Sequence, residues 1–389
     1  MDLSIVPAHW LGINKMSYPE FDRNRIFYRS LGERKNKLTL ASIEITEEMA
    51  MSTKIPDTLR DRVEMIADRI ISANRIGSSV VCAFGAHSIK NGLGRLLGSF
   101  LRYGWLSHLA TNGAGIIHDW EFAYQGESSE DVRSNIKHGN FGTWQETGMY
   151  LNLALIVGAY EGLGYGESIG KLIAMNGLDI PSKESLMHCI LNDKELWKRS
   201  AASDLLETIE NFGLDTGRLE IFHPFAESSV QSIAYNLQIP FTGHPMFGQD
   251  IIYTHKMNKG AAIGRTAERD FLKYVHSISQ LEGGVYLSVG SSVMSPMIFE
   301  KALSMARNVA EQSRKNISDF LVVVVDIQPE SWDWNKGEPP IDNPAYYHRF
   351  MKTFSRMGCN VLYICADNRL FFAGLYQALR KMDKVGGNL

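Results

Sequence analysis

Six consecutive apolar residues, Phe320 to Val325, stand between two aspartates in DFLVVVVDIQPE, and four of them are valine. The run is too short for a typical helix and has no polar face, so it predicts a strand buried on both sides. Such a strand belongs inside a sheet covered by helices on each face, and the rest of the chain has to supply them. Further strands are expected in SSVVCAFGAH, LSHLATNGAG, GRLEIFHPF, IPFTGHP, GGVYLSVGSSV and CNVLYICADN. Helices are expected between them. TLRDRVEMIADRIISA places Val63, Ile66, Ile70 and Ile71 at helical spacing, and NGLGRLLGSFLRYGW, AESSVQSIAYNLQ, PMIFEKALSMARNVA and LFFAGLYQALRKM read the same way.

Strand, loop, helix and strand in repeated alternation predict an α/β fold with a doubly wound, mostly parallel, Rossmann-like sheet. Residues 1–55, with the basic patch RNRIFYRSLGERKNK, are expected to form an N-terminal extension that packs on the domain, and residues 56–389 a single α/β domain. The longest irregular stretch, ESWDWNKGEPPIDNPAYYHR over 330–349, is rich in proline and aromatic residues, and long ordered loops are usually functional.

Charge and composition exclude several classes of function. The net charge of −3 gives no global field for nucleic acid or for an anionic membrane. No run approaches the ~18 apolar residues of a membrane span. MDLSIVPAHWLGINK lacks a basic segment followed by an apolar one, so a cytoplasmic location is expected. The four cysteines, Cys82, Cys189, Cys359 and Cys365, form no C-x-x-C pair, so neither a zinc site nor a disulfide scaffold is expected.

In parallel sheets ligands bind beyond the carboxyl ends of the strands. Four strand ends carry loops of small or polar residues: FGAHSIKNG, TNGAG, TGHPMFGQD and VGSSV. Glycine there lets backbone N–H groups approach a phosphate, although each loop alone is more commonly a plain turn and none matches G-x-G-x-x-G. The Gly113–Gly115 stretch is read as a loop beside the ligand, followed by His118 and Asp119. Asp119 could instead cap a helix. His255 lies in a polar, cationic neighbourhood that would lower its pKa and leave it a base; a lone histidine is more often structural. Lys352, flanked by Tyr346, Tyr347, Phe350, Met351 and Phe354, could sit in an apolar pocket as an imine-forming nucleophile rather than on the surface.

These segments, in this order, resemble deoxyhypusine synthase over roughly residues 75–380. ESSVQSIAY, HKMNKG, TNGAGIIHD, AHSIKNG, GGVYLSVGSSV and YICADN are each similar to a segment of that family. The resemblance implies NAD as cofactor and a homotetramer with sites at dimer interfaces. It also implies a reaction in which spermidine is oxidised and its aminobutyl group passes through an enzyme-lysine imine to an acceptor, either a protein lysine or a small diamine. Carried over position by position, Lys352 becomes the nucleophile, eight residues after Pro344 as in the family, and His255 the base. Ser88, Asn91, Gly92, Thr111, Asn112, Gly113, Gly115, Asp119, Gly290, Ser291 and Asp367 would face NAD. His118, Asn258, Glu338, Asp342, Tyr346 and Phe350 would face the polyamine. The sequence departs from the family at Ile117, His118 and Tyr346, where acids are expected, while Asp333, Glu338 and Asp342 offer substitutes nearby. Two alternatives remain: a sirtuin-like NAD-dependent deacylase, and an NAD-binding relative without turnover.

Overall fold

A computed structural model of the protein describes residues 18–329 and 332–386; the N-terminal segment MDLSIVPAHWLGINK lies outside them. Six strands form one parallel sheet: β1 (Val80–Phe84), β2 (His108–Asn112), β3 (Phe241–His244), β4 (Val285–Val289), β5 (Leu321–Asp326) and β6 (Asn360–Cys365). Their spatial order is 3-2-1-4-5-6, the doubly wound arrangement whose order reverses between β1 and β4. The fold is therefore an α/β fold with a doubly wound parallel sheet. The valine-rich run is β5, second from the sheet's β6 edge, with Val322 to Val325 all buried.

Period-two alternation explains why these strands carry apolar residues throughout. Val80, Cys82 and Phe84 of β1 join one core cluster; Val81 and Ala83 join the other. On β5, Val323 and Val325 face the first cluster while Val322 and Val324 face the second. Helices Asp57–Arg75, Gly94–Arg102 and Asn368–Gly386 contribute to the first cluster, and helices Gly260–Ser279, Met294–Gln312 and Arg349–Ser355 to the second. In helix Asp57–Arg75 the buried stripe is Leu59, Val63, Ile66, Ala67, Ile70 and Ala73; Ile71 lies beside it, half-buried.

The structure corrects the reading of three segments. GRLEIFHPF contributes only Gly217–Glu220, which pairs antiparallel with Gly177–Ile180 in a separate two-stranded sheet. AHSIK is a short helix, Ala86–Lys90, rather than a loop. Gly113–Gly115 is the first turn of helix Gly113–Gln125, capped by Asn112, whose Oδ1 accepts the Gly115 N–H at 2.9 Å. Two glycines weaken a helix interior, but at the start the cap and the missing intrahelical partners outweigh that cost.

Between residues 18 and 56 the chain lays one strand on the domain and packs helix Glu47–Ser52 on the C-terminal helix. Asn36–Thr39 pairs antiparallel with Glu127–Glu130, with Asn36 opposite Glu130 and Leu38 opposite Ser128. That pairing brings Arg34 over the first turns of helix Gly113–Gln125.

Candidate active site at the carboxyl edge of the sheet

At the reversal of strand order, β1 and β4 end side by side, with Phe84 opposite Val289. The next residues, Gly85 and Gly290, nearly touch: a Cβ on Gly85 would lie 2.0 Å from the Gly290 carbonyl oxygen. Gly290 itself has φ +58°, a conformation that favours glycine. These two positions bring the loops after β1 and β4 together at the switch point, where a dinucleotide binds in folds of this topology. Beside it, Ser291 Oγ accepts the Ser295 N–H at 3.1 Å, and Asp367, beyond β6, accepts from the Arg369 N–H at 2.8 Å. The end of β2 carries Asn112 rather than the acid that holds a ribose in many dinucleotide sites.

A cavity of about 190 Å³ opens along the same edge, over β2 and β3. Its walls come from Lys90 after β1, from Ala114, Ile117, His118 and Glu121 on the helix after β2, and from Gln249, Asp250 and Ile251 after β3. Arg34 and the segment following that helix close it. One linked set of side chains organises the floor. Arg34 grips Glu121 with two bonds of 2.7 Å, and both side chains are almost fully buried. Asn36 orients the guanidinium by accepting from Arg34 Nε at 2.7 Å. Ser128 donates to Glu121 Oε2 at 2.6 Å, and Thr147 donates to Oε1 at 3.2 Å. Burial pushes the Glu121 carboxyl up; the guanidinium and hydroxyl donors outweigh it and hold it below its ordinary value.

His118 lies one turn before Glu121, on the same helix face. Its Nδ1 meets Ser128 Oγ at 2.7 Å. Because the Ser128 proton goes to Glu121, Nδ1 carries the imidazole proton and Nε2 carries the lone pair. Burial is the main reason the His118 pKa falls to about 4; Glu121 pulls it up, Lys90 and Arg34 down. The ring is thus neutral at physiological pH, with an acceptor nitrogen that has no partner among the described residues.

Asp250 completes the cavity. Its Oδ2 is sealed from solvent with no hydrogen-bond donor, pressed onto Gly113, where any Cβ would fall 2.2 Å from that oxygen. Burial pushes this carboxyl up to about 6.

The structure brings only part of the expected site together. His118 lines the cavity, and Gly113 shapes it from behind. Thr111 is buried and donates to the Phe84 carbonyl at 2.9 Å. Gly115 packs on the Thr111 side chain. Ser88, Asn91 and Gly92 follow β1; Asn91 and Ser88 meet Asn368 at 2.8 and 3.4 Å, and Gly92 accepts from the Ile45 N–H at 2.9 Å.

Asp119 corrects the expectation that it faces a ligand. Its carboxylate accepts from Ser229 Oγ at 2.5 Å, from the Val230 and Gln231 N–H groups at 3.2 Å and from Gln231 Nε2 at 3.0 Å. It caps helix Val230–Leu237 from across the core, which explains why ESSVQSIAY needs a buried acid opposite it.

His255 is buried against Tyr28 and Gly148. Burial, then Lys256 and Arg23, lower its pKa to about 4 as the cationic neighbourhood implied. Its Nδ1 accepts the Met257 N–H at 3.2 Å, so that lone pair is taken. Asn258 donates to Asn152 Oδ1 at 2.9 Å and accepts from Arg23 at 3.2 Å. Both lie away from the cavity walls.

Lys352 occupies the crossover between β5 and β6, on helix Arg349–Ser355. Its side chain is 12% exposed, pairs with Glu338 at 2.7 Å and lies 2.9 Å from the centre of the Tyr346 ring. Phe350 is buried beside it, stacked on His348, and Asp342 is exposed. This cluster belongs to the half of the sheet away from the cavity.

Arg34, Lys90, Glu121, Ser128 and Asp250 were not singled out in the sequence. Arg34, Lys90 and Asp250 sit inside quoted segments and Glu121 and Ser128 outside them, and only the pairing of Asn36–Thr39 with Glu127–Glu130 and the return of the chain after β3 place them together.

No family model and no curated protein matches the chain. Among solved structures it superposes on unliganded AgrE with a TM-score of 0.43 at 16% identity, covering 85% of this chain and 34% of that one. The chain thus spans 34% of the length of that relative. A conserved candidate LOR/SDH protein from Methanococcus maripaludis S2 superposes with a TM-score of 0.41 at 12% identity, over 86% of this chain and 73% of that one. A candidate deoxyhypusine synthase from Entamoeba histolytica superposes with a TM-score of 0.40 at 11% identity, over 87% and 94%. Among the described residues no helix is long and apolar enough to cross a membrane.

Proposed function

We propose that this protein is a cytoplasmic NAD-dependent aminoalkyl transferase that takes a small amine of the polyamine kind, such as spermidine. The observation that carries the reading is the cavity at the carboxyl edge of the sheet. There, among the described residues, the Asp250 carboxyl lines the wall without a counter-ion and His118 Nε2 has a lone pair without a partner. A buried carboxylate without a counter-ion is costly, and an ammonium is the group that relieves it.

The glycine pair at the switch point fits NAD. Gly85, Gly290, Ser291 and Asp367 would hold the cofactor, and the missing side chain of Gly85 lets the loops after β1 and β4 meet there. When bound, NAD supplies a hydride acceptor. Asp250 would receive the ammonium, and His118 Nε2 would accept the proton that the nitrogen loses before its neighbouring carbon can be oxidised. Arg34, Glu121 and Ser128 would fix the His118 tautomer. Lys352 Nζ would then attack the imine carbon, release the leaving amine and carry the aminoalkyl group as an imine to a protein lysine or a small diamine, where the new imine would take the hydride back from the reduced cofactor. Since Lys352 lies over the other half of the sheet, the proposal includes a homo-oligomer, a tetramer, that brings one protomer's Lys352 to another's cavity.

The test is mass spectrometry after incubation with NAD and spermidine and reduction with borohydride. An aminobutyl adduct on Lys352, absent in Lys352→Ala, is the expected result. NAD binding without an adduct would favour a second reading, an NAD-binding relative without turnover. One observation speaks for that alternative: Lys352 is already tied to Glu338 and Tyr346.

A further inference from the structure

Three charged groups of the cavity have no counter-ion among the described residues; Glu130 is held by three neutral donors, which leaves two. One is Asp250. The other is Lys90, the last residue of helix Ala86–Lys90, which lines the opposite wall half-buried. The remaining charges are satisfied internally. Arg34 neutralises Glu121. Glu130 accepts from three neutral donors, Asn135 Nδ2 at 2.6 Å, the Gly142 N–H at 3.1 Å and Trp144 Nε1 at 3.0 Å.

We infer that the cavity is built for an amine that carries an anionic group at its other end, an amino acid or a carboxyalkylated amine, with its ammonium at Asp250 and its acid at Lys90. The inference rests on the amine site proposed above, keeps its aminoalkyl chemistry and puts an acid-bearing amine in place of spermidine as the preferred ligand. A plain diamine would bring a second ammonium toward Lys90, where like charges repel through a medium less polar than water. Replacing that ammonium by a carboxylate turns the same contact attractive, so Lys90 discriminates as well as binds. The Lys90 charge reaches into the cavity, since it is among the causes that lower the His118 pKa, after burial. At ~30 Å³ per water, about 190 Å³ is the room of roughly six waters, which suits a short chain and excludes a dinucleotide.

The test is calorimetric titration of the full chain, with and without NAD, using γ-aminobutyrate, putrescine and butyrate, which share a four-carbon chain. The expected order is γ-aminobutyrate tighter than putrescine by at least about tenfold, with butyrate weakest. Lys90→Met should remove that preference while Lys90→Arg keeps it, and Asp250→Asn should abolish binding of both amines. Putrescine binding as tightly as γ-aminobutyrate would overturn this inference and leave the amine site standing. Binding of neither amine would overturn the amine site and the inference with it. Loss of NAD affinity in Lys90→Met with γ-aminobutyrate binding intact would place Lys90 on the cofactor and overturn the assignment.

Discussion

Replacing Arg34 by methionine should destabilise the protein by about 3 kcal/mol at neutral pH, because it leaves the buried Glu121 charge unpaired. The pair makes two bonds of 2.7 Å, with side-chain exposures of 1% and 2%. Breaking one side of such a pair costs ~3–5 kcal/mol, whereas replacing both partners is often close to neutral. Two features set the value at the low end. Ser128 and Thr147 still donate to the carboxylate. Glu121 can also take up a proton, which at pH 7 limits the penalty to about 3.7 kcal/mol above the neutral form.

The pH dependence has a fixed sign. In the wild type the folded Glu121 pKa lies below its ordinary value, so the pair contributes stability above the unfolded pKa and loses it as pH falls through the folded one. Without Arg34, burial acts on the carboxyl against the Ser128 and Thr147 donors, and the difference between variant and wild type should shrink as pH drops below ~4.5. Urea denaturation followed by tryptophan fluorescence reads this directly. With a slope of about 3 kcal/mol per M, the Arg34→Met midpoint should fall by roughly 1 M at pH 7. The double variant Arg34→Met/Glu121→Leu should recover most of the loss. A double variant no more stable than the single one, or a single-variant loss that persists unchanged into acid, would refute the assignment of the cost to an unpaired charge.

Asp250→Asn should act in the opposite direction. A carboxyl raised to about 6 in the fold is destabilised when ionised, so the variant should gain about 2 kcal/mol at pH 7, a gain that disappears as pH falls below ~4, measured by the same denaturation series. Gly85→Ala should cost ~1–3 kcal/mol by driving a methyl group against the Gly290 carbonyl, and should weaken NAD binding by more than about tenfold in a calorimetric titration. Asp119→Ala should cost about 3 kcal/mol by stranding the donors at the start of helix Val230–Leu237, with loss of helicity by circular dichroism; an unchanged melting temperature would contradict the capping role.

The sheet was legible because buried parallel strands leave a signal that needs no tertiary context. Phe320–Val325 could be nothing else, and the order of the remaining apolar runs followed the chain. GRLEIFHPF misled because a short apolar run reads alike in a central sheet and in a two-stranded ribbon. Gly113–Gly115 misled because glycine propensity describes a helix interior, whereas these residues stand at a capped start. The site was harder. His118 was found because it closely follows the glycine-containing stretch at a strand end. Arg34, Glu121 and Asp250 come from three parts of the chain and carry no shared local pattern, and a buried acid such as Asp119 looks the same in sequence whether it caps a helix or faces a ligand.

That distinction between two buried acids on neighbouring elements bears on function. Asp119 and Asp250 are both raised by burial, and both lie near the start of a helix. Asp119 is surrounded by four donors and is explained by the fold alone. Asp250 has an oxygen facing only the Cα of Gly113, and a side chain at that position would displace it. A fold selected for stability alone would place a donor there or substitute an asparagine. Keeping a carboxylate that raises the energy of the empty protein makes physical sense when a cation arrives to neutralise it. The glycine at 113 then serves less to free the backbone than to leave room for that carboxyl group in the cavity wall.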